Sequence, residues 1–335
     1  MKKILSIVAM CLVSMGVMAQ SQLVATLTHE GTTTEYYGVD GFSQALSACD
    51  DGDLITLSGG IFHGGNITKD IILRGNGMDG DNKTIIDSEV KVWKTSEEVD
   101  DQLLIEGIWF NTSFVLPNEG TGNVSMIAKK CLFSGDINLL QKGPKNTSFI
   151  NCINNYRISI GAGSEVSFLN SIITGPTFSG VPTSVNFLNC FLICGFPGDI
   201  PPCTITNSIV TVCVSSGNAY HAYFKSDAIF NNSVIGGFNN YGDPTGSCTM
   251  NNSTWGINIP EMFNDSTNPY GYDPNSDYTL TNEAKTTYIG TDGTEIGIYG
   301  GAAPYTSVVT YPRFTTFNVA EKAENGTLSV TIAAE

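Results

Sequence analysis

The sequence is poor in charged residues, and cations are the scarcest of them. Only 14% of its 335 residues are charged, with 16 Lys and Arg against 32 Asp and Glu, so the formal net charge is −16. A chain this acidic lacks the basic face that nucleic acid requires, and it disfavours polyanionic ligands unless a cation bridges them. Low charge also argues against ordinary solvent-exposed helices, and the 36 glycines indicate many turns.

The sequence also lacks an apolar run long enough to cross a membrane, since a spanning helix needs about 20 apolar residues. The first residues carry a shorter run, in which two lysines precede an apolar stretch from Ile4 to about Met18 and a small-residue motif ends at Ala19. These are the three parts of a secretory signal peptide. We therefore expect residues 1–19 to be removed and the protein to be exported to the periplasm, the cell surface or the medium.

The middle of the chain is repetitive. An Asn followed by Cys or Ser recurs within short strand-like segments at intervals of 18–25 residues. A period of roughly 20 residues, with two or three short strands in each repeat, is typical of a parallel β-solenoid. The Cys/Ser column contains Cys131, Cys152, Ser171, Cys190, Ser208, Ser233 and Ser253. The preceding residues form what we call the Asn column: Lys130, Asn151, Asn170, Asn189, Asn207, Asn232 and Asn252.

Stacking explains why these two columns exist. Coils in register repeat at roughly 4.8 Å, so identical Asn side chains can hydrogen-bond along the stack. Asn also tolerates the left-handed backbone conformation that a sharp bend needs. The next residue then points inward, where Cys or Ser is small enough for a narrow interior. Alternating apolar residues predict further interior positions at Val166, Phe168, Val185, Phe187 and Ile229.

The segments that flank the repeats are expected to close the stack. Residues 20–49 contain a predicted strand pair and an amphipathic helix, and the helix would cover the open end of the first coil. The repeats themselves occupy residues 50–256. Residues 257–304 are turn-rich and are predicted to form an irregular C-terminal cap. Residues 305–335 are expected to form a terminal strand segment.

Two segments resemble a known superfamily. The stretch GFSQALSACDDGDLITLSGGIFHGGNITKDIILRGNG is similar to the entry coils of pectate-lyase-like proteins, and NSDYTLTNEAKTTYIGTDGTEIGIYGG is similar to the closing segment of secreted bacterial β-helix proteins. The resemblance covers residues 36–301 and implies an all-β fold, a right-handed parallel β-helix of roughly ten coils with an N-terminal helical cap. It does not specify chemistry, because the superfamily contains lyases, glycosidases and adhesins.

Candidate catalytic residues are few. Lyases of this superfamily need a base, and a cation to neutralise the substrate carboxylate. Arg157 is the one arginine between residues 121 and 256, and it falls in the same column as Asp136 on the neighbouring coil. Asp136 and Arg157, with Lys142 nearby, are therefore weak catalytic candidates, and a structural ion pair between adjacent strands is the simpler interpretation. No two carboxylates in these coils have a glycosidase spacing.

Cysteine and metal chemistry are also weakly indicated. Cysteines that stack in one column point in the same direction, which is a poor disulfide geometry, so Cys131, Cys152 and Cys190 are expected to be free thiols. The best-placed pair for a bridge is Cys194 with Cys213.

No cofactor is indicated other than Ca²⁺. Its candidate ligands are acidic turn residues, and the alternative is that these residues are simply solvated. These residues are Asp79, Asp81 and Asp87.

The longest interval between repeats contains an aromatic insertion. Tyr220, His221 and Tyr223 lie within it, and aromatic side chains on a loop of a rigid scaffold are suited to stacking against sugar rings. We therefore expect an exported, non-catalytic protein that binds a polysaccharide or cell-surface glycan, or another surface partner. The competing hypothesis is a polysaccharide lyase or glycoside hydrolase that acts on a plant or host glycan.

Overall fold

The computed structural model describes residues 23–93, 102–116, 124–140, 146–194, 202–212, 228–236, 248–265, 272–312, 314–319 and 330–334. Residues 1–19, the predicted signal peptide, therefore lie outside the described residues. Within it, successive short strands stack in parallel and in register, so the protein is a parallel β-solenoid built from three sheets. Among the described residues, no helix is long and apolar enough to cross a membrane.

The first sheet begins with an antiparallel hairpin, and ten parallel strands follow. Its strands are β1 (Val24–His29), β2 (Thr32–Tyr37), β3 (Leu54–Leu57), β6 (Ile72–Arg74), β9 (Leu103–Glu106), β12 (Met126–Lys129), β15 (Thr147–Ile150), β18 (Glu165–Leu169), β21 (Ser184–Leu188), β23 (Thr204–Thr206), β25 (Ile229–Asn231) and β27 (Thr249–Asn251).

The second sheet has ten strands, and each follows a strand of the first sheet after a sharp bend. Its strands are β4 (Gly60–Phe62), β7 (Thr84–Ile86), β10 (Trp109–Phe110), β13 (Leu132–Phe133), β16 (Ile153–Asn154), β19 (Ile172–Thr174), β22 (Phe191–Cys194), β24 (Ile209–Val212), β26 (Val234–Gly236) and β28 (Thr254–Ile257).

The third sheet has only six described strands. They are β5 (Asn66–Ile67), β8 (Val90–Val92), β11 (Phe114–Leu116), β14 (Ile137–Leu139), β17 (Ile158–Gly161) and β20 (Pro176–Ser179). The prediction of roughly ten coils is wrong, because the described solenoid has about seven turns. Two sheets have ten stacked strands, but fewer turns are described with all three sides, because residues 195–201, 213–227 and 237–247 lie outside the described chain.

The interior is one continuous hydrophobic core. Phe149 and Phe168 stack at 5.1 Å between ring centroids, and Phe168 and Phe187 at 5.0 Å, because residues in register on neighbouring coils carry the same side chain. Val166 and Val185 are also buried, as predicted. The prediction for Ile229 is wrong. Its side chain is 37% exposed, because Ala228 and Phe230 occupy the inward positions of that strand.

The Asn column bends the chain between the first and second sheets. All seven of its residues have φ between 46° and 54°, which confirms the predicted left-handed conformation. Gly107 has φ 73° and occupies the same position on an earlier coil. The Cys/Ser column that follows is buried except for the half-buried Ser253, and it links neighbouring turns. For example, Cys152 N donates to Ser171 Oγ at 3.0 Å.

The N-terminal segment forms the elements predicted for it. The hairpin β1–β2 turns at Glu30 and Gly31, both with positive φ, and β1 pairs with β3. Helix α1 (Gly41–Ala48) follows, and its buried Phe42, Ala45 and Leu46 join the core of the solenoid. Two histidine–aspartate contacts attach this segment to the first coil. His29 Nδ1 lies 2.8 Å from Asp53 Oδ1, and His63 Nδ1 lies 2.8 Å from Asp40 Oδ1.

These two contacts predict a pH dependence. The hydrogen bond to Asp53 raises the pKa of His29, and the bond to Asp40 raises the pKa of His63. A raised pKa in the folded state means that the stabilisation is fully present below about pH 6.5 and is lost as pH rises through the folded-state value. A variant with His29→Gln and His63→Gln should therefore lose more stability at about pH 5.5 than at about pH 8.5. Chemical unfolding at both pH values measures this, and an equal loss would contradict it.

The chain after the last coil packs along the side of the stack. A 3₁₀ helix (Ile259–Met262) and helix α2 (Asn282–Thr287) belong to a second hydrophobic cluster, on the outer face of the second sheet. Its members from that sheet include Ile172, Phe191, Ile209 and Val234, and Phe191 lies 5.2 Å from Phe263 and 5.7 Å from Tyr278 between ring centroids. The segment predicted as an irregular cap thus shields one outer face. The final pair, β29 (Phe314–Val319) with β30 (Val330–Ala334), is antiparallel.

Residues 289–312, which we call the strap, run along the Asn column toward the first coils. Side-chain amides of this column donate to strap carbonyls, so the predicted hydrogen bonding between Asn side chains along the stack is wrong for these residues. Asn232 donates to Ile289 O, Asn170 to Ile298 O and Gly300 O, and Asn151 to Pro304 O. Lys130 donates to Val308 O.

Candidate functional site

Asp136 and Arg157 form an ion pair between neighbouring coils. Arg157 Nε donates to Asp136 Oδ1 at 3.0 Å, and Nη2 donates to Oδ2 at 3.3 Å. The hydrogen bond to Asp136 raises the pKa of the guanidinium, which stays charged. Both residues precede strands of the third sheet, and Ile137 N donates to Arg157 O. The bidentate contact satisfies both charges. Lys142, the third weak catalytic candidate, lies outside the described residues.

The predicted ligand-binding loop cannot be placed either. Tyr220, His221 and Tyr223 lie within residues 213–227, outside the described chain. The prediction that this loop binds a ligand therefore stays a prediction.

The candidate Ca²⁺ ligands do not form a metal site. Within the described part of the chain, no group of three or more His, Cys, Asp or Glu side chains is arranged to hold a metal ion. Asp79, Asp81 and Asp87 belong to this part, and they form no such group.

The three cysteines of the Cys/Ser column are free thiols, as predicted. Cys131, Cys152 and Cys190 are buried, and burial raises the pKa of Cys190 to about 12. Cys203 is also free and buried, and its pKa is likewise raised to about 12 by burial. A thiol with so high a pKa is neither a nucleophile nor a metal ligand at neutral pH. The side chains of Cys194 and Cys213, the predicted bridge, lie outside the described structure.

A small pocket lies on the outer face of the first sheet beside the strap. Its volume is about 180 Å³, and its floor includes the outward side chains of Ile72, Leu104 and Ile127. Two of its three charged residues, Glu106 and Arg74, contact the strap. Glu106 accepts from Thr310 N at 3.0 Å and from Thr310 Oγ1 at 2.8 Å. The Arg74 guanidinium lies 4.9 Å from the centre of the Tyr311 ring. The pocket therefore belongs to the strap attachment.

The apolar residues on the outer face of the second sheet are covered at one end of the stack and partly exposed at the other. One outward position on each coil is apolar from β4 to β26. The C-terminal segment buries it from Ile153 onward and also packs partly against Leu132. On the earlier coils, Ile61 is 47% exposed, and Ile85, Trp109 and Leu132 are half-buried. Sequence reasoning missed this row, although apolar residues at outward positions of such short strands are a usable signal.

Trp109 is the centre of this uncovered row and is held in place on two sides. Its Nε1 donates to Ser134 Oγ on the next coil at 2.8 Å. The Lys83 ammonium of the previous coil lies 4.9 Å from the centre of the indole ring. An aromatic ring fixed in this way on a flat sheet has the geometry of a preformed binding platform.

Comparison with protein-family models, with curated proteins and with solved structures gives no match for this chain.

Proposed function

We propose that this protein is an exported, non-catalytic binding protein whose partner is a carbohydrate or another cell-surface molecule. The ion pair between Asp136 and Arg157 is the main support for the proposal that the protein is not a catalyst. A lyase needs an arginine that is available to the substrate carboxylate and a base that is available to a proton. Here the two candidate groups neutralise each other at 3.0 Å across adjacent coils. Their contact supports a structural role for both.

Export is supported by the N-terminal sequence, with its lysines, apolar stretch and cleavage motif. The same proposal includes membership of the pectate-lyase-like superfamily, on the motifs quoted above. Right-handed winding follows from the strong preference of parallel crossover connections for that hand. Helix α1 would then close the N-terminal end of the stack, since its buried side chains already belong to the core of the first coils.

Carbohydrate binding is proposed for the aromatic insertion with Tyr220, His221 and Tyr223. Sugars present flat apolar ring faces, and aromatic side chains on a rigid scaffold bind them at low entropic cost. If the insertion is the site, Tyr220→Ala and Tyr223→Ala should weaken retention on an immobilised glycan by about tenfold while leaving the fold intact. If both variants bind the glycan as well as wild type does, the insertion is not the binding site.

The lyase or hydrolase alternative is tested by incubation with a panel of uronate and neutral polysaccharides, with and without Ca²⁺. Absorbance of unsaturated products detects a lyase, and newly formed reducing ends detect a hydrolase. We expect neither product, together with retention of the intact protein on at least one polysaccharide. Either product would overturn the non-catalytic proposal. Absence of both binding and products across the panel would overturn the carbohydrate proposal.

A further inference from the structure

We propose that the uncovered part of the second sheet binds a linear, uncharged polysaccharide that lies along the axis of the stack. This site, the Trp109 face, consists of the apolar residues Ile61, Ile85 and Trp109, with the partly covered Leu132 at its end, and of a polar row beside them. The proposal rests on the proposed carbohydrate function, but it assigns a surface distinct from the aromatic insertion.

The apolar row is continuous and regular. Ile61 pairs with Ile85, Ile85 with Trp109, and Trp109 with Leu132, so these side chains project from successive coils at the same outward position. The chain covers the continuation of the same row with its own C-terminal segment, which buries Ile153 and packs partly against Leu132. Among the described residues, this cluster does not include Ile61, Ile85 or Trp109, which makes these three positions the part of the row available to a ligand.

A row of hydrogen-bonding side chains runs parallel to the apolar row. Asp87 N donates to Phe62 O, Asn111 N to Ile86 O and Ser134 N to Phe110 O, which places these polar residues in register one coil apart. His63 precedes Asp87 in this row, and Asp87 and Asn111 are exposed. A sugar ring has a flat apolar face and hydroxyl groups on its rim. An apolar row beside a polar row matches both features.

The geometry of the face favours a linear chain. Neighbouring coils are separated by roughly 4.8 Å, which is close to the length of one pyranose unit in an extended β-linked polysaccharide. Successive sugar rings could therefore lie over successive coils, with neighbouring rings presenting opposite faces to the protein. The indole of Trp109 is already fixed by Ser134 and Lys83, so binding would cost little side-chain entropy.

The charges at this face favour an uncharged ligand. Lys83 lies against the Trp109 ring, while His63 is in contact with Asp40. Asp87 contributes a negative charge within the polar row. The whole chain carries −16, so a polyuronate would be repelled where a neutral glycan would not.

The test is calorimetric titration of the full mature chain with β-1,4-linked hexasaccharides of glucose, mannose and xylose, and with a galacturonate hexasaccharide as the charged comparison. We expect at least one neutral hexasaccharide to bind and the galacturonate to bind more weakly. Trp109→Ala should weaken neutral binding roughly tenfold or more, and Trp109→Phe should retain most of it. Asn111→Ala removes an exposed amide without disturbing the core, and it should weaken binding several-fold.

A matched control keeps the outcomes distinct. Val181 is 66% exposed and lies away from this face, and Val181→Ala should leave affinity unchanged. If wild type binds neutral glycans and the Trp109→Ala and Asn111→Ala variants bind them equally well, the assignment of the Trp109 face as the binding site is wrong. The proposed carbohydrate function would then still stand. If wild type binds none of these hexasaccharides but is retained on another polysaccharide of the panel, the Trp109 face is wrong, and if it is retained on none, the proposed carbohydrate function itself fails. A wild-type dimer that Trp109→Ala converts to monomer would show that a second copy occupies the face, which also overturns the proposal.

Discussion

Replacing Phe191 by alanine is expected to lower the free energy of unfolding by about 3–5 kcal/mol, the usual cost of deleting a buried phenylalanine. Phe191 is 1% exposed although it points away from the solenoid interior. Its ring lies between the second sheet and the C-terminal segment, in contact with Phe263 and Tyr278. The substitution would open a cavity in the cluster that attaches this segment to the stack, and neither side can collapse easily to fill it.

Urea unfolding followed by circular dichroism measures this loss. The control is Val181→Ala on the same coil, an exposed apolar truncation that should change stability by no more than about 0.5 kcal/mol. Equal stability of the two variants would mean that the C-terminal segment does not cover the second sheet as described.

Replacing Asn170 by alanine is expected to cost about 2–4 kcal/mol, because the side chain has two separate roles. Its backbone has φ 46°, a conformation that alanine adopts only with strain. Its amide donates to Ile298 O at 3.0 Å and to Gly300 O at 2.7 Å, and alanine would leave these carbonyls without that donor. The loss should therefore exceed that of an ordinary buried hydrogen bond.

A glycine at the same position separates the two roles. Asn170→Gly removes the hydrogen bonds to the strap but accepts the left-handed backbone, so it should cost about 1–3 kcal/mol, less than alanine. Asn138→Ala, an outward asparagine of the third sheet, is the matched control and should be nearly neutral. If glycine fully restores wild-type stability, the strap contacts contribute nothing, and the bend alone explains the column.

The sequence was sufficient to predict what the repeat enforces locally. A residue type that recurs at one position of each coil shows both the stacking and the bend, so the Asn column and the buried Cys/Ser column were predicted correctly. Short elements with clear signals were also predicted, such as the N-terminal strand pair and the amphipathic helix α1.

The outer surfaces were not predictable in the same way. In the run Phe191-Leu192-Ile193 every residue is buried, so the usual alternation that separates inward from outward positions is absent. The second cluster joins residues far apart in sequence, and residues 258–312 carry no repeat that would indicate their partners. The same ambiguity led to the wrong inward assignment of Ile229, and it concealed the row around Trp109.

The attachment of the strap to the Asn column is the central claim, because it determines which part of the second sheet a ligand can reach. Native-state hydrogen exchange of two strap amides tests it most directly. Thr291 N donates to Asn207 Oδ1 at 2.9 Å, and Gly297 N donates to Asn207 O at 2.8 Å. We expect both amides to exchange as slowly as the neighbouring amide of Ile209 within the solenoid. Exchange of Thr291 and Gly297 at the rate of an unstructured peptide, with Ile209 still protected, would contradict the account.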